Sequence, residues 1–77
     1  MSELGRVRWQ CRRGMLELDL VLSRFLERHF ADLQPLERAA FKGLLELSDN
    51  DLWDVVSGRL HPETPTAAAV ARLLREI

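Results

Sequence analysis

One cysteine, four glycines, three prolines and two histidines are spread thinly through the 77 residues of this chain, and each scarcity closes a route. Cys11 alone cannot form an internal disulfide, so the chain suits a reducing compartment. His29 and His61 have no ligand-spaced partner, and a single cysteine cannot complete the usual four-ligand zinc site. Gly14 and Gly43 stand singly, which rules out a glycine-rich phosphate loop. No apolar run approaches the roughly 20 residues of a membrane span. The N-terminus lacks the basic-then-apolar layout of a secretory signal, and no transit segment is expected ahead of the domain. A cytoplasmic protein is expected.

Catalytic settings are equally scarce. Serine, histidine and acidic residues are present, but none falls in a recognisable nucleophile context. Glu17 and Asp19 are two positions apart, so on a helix their side chains diverge by about 200° and cannot work as a carboxylate pair. We expect no catalytic residue, no metal ligand and no stably bound cofactor. An enzyme with its own active site is not the reading this sequence supports.

What is present is ordinary for a globular chain: 47% hydrophobic and 30% charged residues, with no low-complexity segment and no internal repeat. A chain this short forms one domain, residues 1–77, and buries only about 60% of its unfolded surface. That allows a thin core and no enclosed chamber. The net charge of −1 is unevenly placed. Residues 1–14 carry Arg6, Arg8, Arg12 and Arg13 against Glu3 alone, whereas the remainder holds seven bases and eleven acids. A basic N-terminal face could meet an acidic partner, although a solvated arginine face accounts for the same residues.

The periodicity predicts five short helices. Ser2 suits an N-cap for the first, with Leu4, Val7 and Cys11 as its stripe and Trp9 off it, either packed on a neighbour or exposed. Leu18, Val21, Leu22, Phe25 and Leu26 mark the second, the expected centre of the core, with Leu16 and Leu20 widening its apolar face. The pattern breaks over residues 31–34. Pro35 then opens a third helix with the stripe Leu36, Ala40, Phe41, Leu44 and Leu45, and Glu37 is placed to reach back to the cap. Ser48 and Asp51 have capping-box spacing before Leu52, Val55 and Val56, and Gly58 suits a left-handed C-cap. After a linker over residues 61–64, Thr64 caps and Pro65 opens a fifth helix with the face Thr66, Val70, Leu73, Leu74 and Ile77. No strand alternation survives. The fold class is all-α, a small single-domain bundle of five short helices.

The organising stretch is Arg12-Arg13-Gly14-Met15-Leu16-Glu17-Leu18-Asp19, where the arginine-rich segment meets the second helix. Gly14 breaks two helical segments, and Glu17 and Asp19 fall where acids face the positive end of the helix dipole. A helix junction with a charged rim accounts for these residues. A nucleic-acid module is the rival functional reading, with Trp9 available for stacking among the arginines. Against it, the pI of about 6.1 is well below the basic values of such modules. Arginine and tryptophan are also enriched at protein interfaces, so a protein partner ranks above nucleic acid.

The run Arg8-Trp9 and Arg12 to Asp19 resembles the signature of the SdhE family of small bacterial flavinylation factors, whose mitochondrial relatives are succinate dehydrogenase assembly factors. The family's R-G-x-x-E is similar to Arg13-Gly14-Met15-Leu16-Glu17 here. The likeness continues through Phe25, Glu37, Phe41, Leu44 and Leu45 into Asp49-Asn50-Asp51-Leu52-Trp53 and Gly58, covering nearly the whole chain.

The resemblance implies a factor that binds the flavoprotein subunit of succinate dehydrogenase, and in some bacteria of fumarate reductase. It implies promotion of covalent FAD attachment to a histidine of that subunit, with the flavin held by the partner and not by the factor. It places Arg13, Gly14 and Glu17 in a partner-facing motif, with Arg8, Trp9, Arg12 and Asp19 around them. Gly14 would permit close backbone approach, Glu17 would offer a carboxylate, and Arg13 a planar donor fork for an acidic residue or flavin phosphate. The free factor is expected to be monomeric. The alternative is a small helical DNA-binding or antitoxin-like regulator.

Overall fold

The computed structural model describes residues 2–77 and forms five α-helices and one 3-10 turn, with no strand among the described residues. The helices are α1 (Glu3–Gln10), α2 (Leu16–Arg28), α3 (Pro35–Leu44), α4 (Asp49–Ser57) and α5 (Pro65–Arg75). The 3-10 turn, Phe30–Asp32, occupies the expected break after α2. It is held by its own apolar side chain: Phe30 is buried, and the Arg38 guanidinium lies 4.7 Å from its ring centroid.

The helix ends are set by local chemistry. The hydroxyls of Ser2, Ser48 and Thr64 accept from the N–H groups of Gly5 at 3.0 Å, Asp51 at 3.2 Å and Ala67 at 3.1 Å. Each satisfies a donor that a helix start leaves unpaired. At α3 the Gln34 N–H donates to Glu37 Oε1 at 2.7 Å, the reach-back expected from spacing. Gly58 ends α4 at φ 88°, a left-handed position.

The core is organised by α2, α3 and α5. Leu18, Leu22 and Phe25 of α2, Phe41 of α3, Leu52 of α4 and Val70 of α5 are all fully buried. The Phe25 and Phe41 rings lie 4.6 Å apart, centroid to centroid, and α5 packs against α2, α3 and α4. Ala71, absent from the expected stripe of α5, is also fully buried. α1 contributes only Val7 to this core, followed by Cys11 at its C-cap. Its start is fastened by Glu3, whose carboxylate meets Lys42 Nζ at 2.8 Å. The hydrogen bond and charge of Lys42 lower the Glu3 pKa.

Four leucines of the expected apolar faces are exposed. Leu16 and Leu20 do not widen the core face of α2; they are 70% and 47% exposed. At about 100° per residue they fall roughly 160–200° around the helix from Leu18, on its outer side. Leu36, 76% exposed, lies about 140° from Phe41 by the same rotation. Leu4 keeps its place on the α1 stripe but sits one turn before Val7, at the rim of the core, and is exposed.

Leu22→Ala or Phe25→Ala should each cost about 2–5 kcal/mol. That approaches the whole stability of so small a domain, about 5 kcal/mol. Leu36→Ala, on the outer face of α3, should change stability by no more than about 0.5 kcal/mol. Thermal melts of the three variants check this ranking, and equal melting temperatures would disprove the core assignment.

Candidate functional site

The site forms where α1 gives way to α2. After α1 ends at Gln10, Cys11 turns inward and residues 12–15 make an open turn. Gly14 takes φ 81° within it, in the left-handed region, with open space where a Cβ would stand. An L side chain would therefore meet no neighbour but would strain the backbone. Glycine is dictated here by conformation, and the backbone is left bare at the surface.

Two bonds from the backbone close the turn onto α2. The Arg13 N–H donates to Asp19 Oδ1 at 2.8 Å, and the Asp19 N–H returns to the Met15 carbonyl at 2.9 Å. Asp19, a half-buried acid in the first turn of α2, thus holds the segment that leads into its own helix. Glu17 is exposed and forms no ion pair among the described residues. The two acids diverge, as the two-residue spacing requires.

Arg13 does not reach outward. Its side chain is only 14% exposed, and Nε donates to Asp49 Oδ1 at 2.8 Å. Nη1 donates to the carbonyls of Leu45 at 2.7 Å and Gln10 at 3.4 Å, and Nη2 to that of Leu47. Four of the five guanidinium hydrogens thus have partners within this chain. The acceptors are the end of α1, the end of α3, the α3–α4 connection and the start of α4. The donor fork expected to face a partner is turned into the fold.

Arg6, Arg8 and Arg12 of the basic segment are all exposed and without an ion pair among the described residues. Arg8 and Arg12 line a shallow cleft of about 220 Å³ with Cys11, Asp19, Ser23 and Leu26. That is smaller than the roughly 300–1,000 Å³ of sites that enclose a cofactor. Trp9 is 69% exposed, so of its two expected placements the structure takes the solvent-facing one. With Leu16 and Leu20 it puts large apolar surface on both sides of the Gly14 turn in sequence. Exposed apolar groups beside open arginines have the composition of a protein interface.

Sequence reasoning gave Asp49 no pairing role and named it only within the extended family likeness. Its pairing with Arg13 spans 36 positions, and the carbonyls of Leu45 and Leu47 carry no signature in the sequence. The only available signal was the place of Asp49 in the extended family likeness.

Burial pushes the Cys11 thiol up from its ordinary 9.0 to about 11, against the pull of Arg13 and Arg8. The folded state therefore holds the thiol protonated where the unfolded chain would ionise it. This contribution to stability is intact below about pH 9 and is lost as pH rises towards 11. The urea midpoint should fall across that window, and Cys11→Ala should flatten the fall relative to the native chain. A parallel fall in the variant would assign the alkaline loss to other groups.

Comparison with known proteins gives this geometry its context. The family described as flavinator of succinate dehydrogenase matches residues 5–77. The FAD assembly factor SdhE of Methylococcus capsulatus is 46% identical over 77 residues, covering 100% of this chain and 93% of the relative. That of Coxiella burnetii is 39% identical over 94% of this chain and 88% of the relative. That of Ralstonia nicotianae is 40% identical over 95% and 81%. These relatives are named as assembly factors and give no support to a DNA-binding reading. On the match across nearly its whole length, the chain belongs to the SdhE family of FAD assembly factors.

Proposed function

We propose that this chain binds the flavoprotein subunit of succinate dehydrogenase, its client, and promotes covalent attachment of FAD to a histidine of that subunit. A fumarate reductase flavoprotein is the related client that the family likeness suggests. The observation that carries the reading is the bare Gly14 turn, with its left-handed glycine and open Cβ position, inside a chain of this family. A client can approach that backbone more closely than it could any side-chain-bearing turn. Trp9, Leu16 and Leu20 supply apolar area, Glu17 a free carboxylate, and Arg8 and Arg12 unpaired positive charge.

The action on the client is conformational. The bound factor stabilises the arrangement in which histidine and flavin are in reactive geometry, and the flavin remains with the client. Positioning of this kind can contribute up to about 7–11 kcal/mol of barrier lowering without a reacting group on the factor. The chemistry of this chain fits that role. Its one thiol is buried and held protonated, and its acids near the turn diverge.

Mixed with apo-flavoprotein, FAD and a dicarboxylate, the protein should raise the yield of covalent flavin, read as in-gel fluorescence of the client band. The factor itself should emerge unmodified, and a stable flavin adduct on this chain would overturn the proposal. Glu17→Ala removes at most about 0.3–1 kcal/mol of helix-dipole interaction. It should therefore keep native helicity while losing client binding and flavinylation. An unfolded Glu17→Ala whose residual folded fraction is fully active would make that carboxylate structural.

A further inference from the structure

Within the R-G-x-x-E motif the structure separates two kinds of residue. Gly14 and Glu17 face solvent, whereas the Arg13 side chain is directed into the fold, where Asp49 and the carbonyls of Leu45, Leu47 and Gln10 take up its donors. We propose that Arg13 is a positioning residue: it makes no contact with the client and instead locks the Gly14 turn onto the α3–α4 junction. This rests on the functional reading above and refines it, because the positive charge offered to the client then comes from Arg8 and Arg12.

The geometry supports the assignment in three ways. First, a guanidinium with four internal hydrogen bonds would have to break several of them to reach a partner. Each is a partly buried, charge-assisted bond or a bond to a helix-end carbonyl. Second, the same residue is held at its backbone, where its N–H meets Asp19 Oδ1 at 2.8 Å. The residue immediately before Gly14 is therefore fixed at both ends, towards α2 through its backbone and towards α3 and α4 through its side chain. Third, α1 itself places only Val7 in the core, so the Arg13 bonds add directly to the packing of Cys11 and Met15 in fixing how the α1–α2 turn sits on the remainder.

A double-mutant cycle tests the proposal. Arg13→Gln and Asp49→Ala each remove one side of the lock, and client affinity is measured by calorimetry with apo-flavoprotein. Circular dichroism confirms that each variant is folded at the working temperature. Each single variant should bind at least tenfold more weakly, and the double variant no more weakly than the worse single one. Arg13→Lys should fail to restore binding, because an ammonium cannot meet separated acceptors in the plane of a fork. In the free protein, Asp49→Ala should also shift the Gly14 amide resonance, although the two residues are 35 positions apart.

If Arg13 met the client directly, Asp49→Ala would free it and leave affinity unchanged or improved. Losses that multiply in the double variant would likewise overturn the proposal, as would an unmoved Gly14 resonance. Absence of client binding by the native chain would overturn the functional reading alone, since the Gly14 resonance still decides the positioning role.

Discussion

A guanidinium set among helix ends is the interaction on which the rest of this small fold depends. Every α-helix finishes with carbonyls that have no partner of their own. At the end of α4 the chain resolves this locally, with Gly58 in a left-handed turn. At the end of α3 it does so at long range, with Arg13 donating to the carbonyls of Leu45 and Leu47. The same group pairs with Asp49, so the positive charge is neutralised where α4 begins and would otherwise be disfavoured by the helix dipole. One side chain thus joins the α1–α2 turn to the far side of the bundle. The thin attachment of α1, through Val7, Cys11 and the Glu3–Lys42 pair, makes that join decisive for its placement.

How much of the fold was legible in the sequence follows the range of the forces involved. Helix starts at Ser2, Pro35, Ser48 and Thr64, and the stop at Gly58, depend on residues within a few positions, and spacing places them correctly. Stripes that obey the helical rotation, such as Leu18, Leu22 and Phe25, are equally legible. Leu16, Leu20 and Leu36 were misread because apolar character was counted as burial. Their angular positions put them opposite the core. That error is informative, since two of the three leucines lie beside the Gly14 turn, where exposed apolar surface suits a docking role.

The geometry of the α1–α2 turn was legible only in part. Gly14 is identifiable as a breaker between helices, and its positive φ gives the physical reason that glycine stands there. Glu17 is an exposed acid at a helix start, as its position required. Arg13 could not be assigned from sequence, because an arginine in a basic run looks the same whether it faces water or turns inward. Its acceptors are an aspartate 36 positions away and backbone carbonyls that any sequence possesses. Tertiary geometry alone distinguishes the two cases.

The lock, taken with the proposed function, leads to one physical account of how so small a protein would influence covalent chemistry. A factor with no reacting group can favour a reaction only by binding one arrangement of its client more tightly than the others. Such discrimination requires a surface that does not itself yield, because a compliant surface would fit the competing arrangements almost as well. A free loop of residues 11–15 would be compliant. Pinned by the Arg13 backbone to Asp19 and by its side chain to Asp49 and the end of α3, it becomes part of the helical body instead. In the proposed complex the bare backbone of Gly14 would then meet the client with its position set by the whole bundle. The internal use of Arg13 is therefore consistent with a role in recognition, because it supplies the stiffness that recognition by position demands.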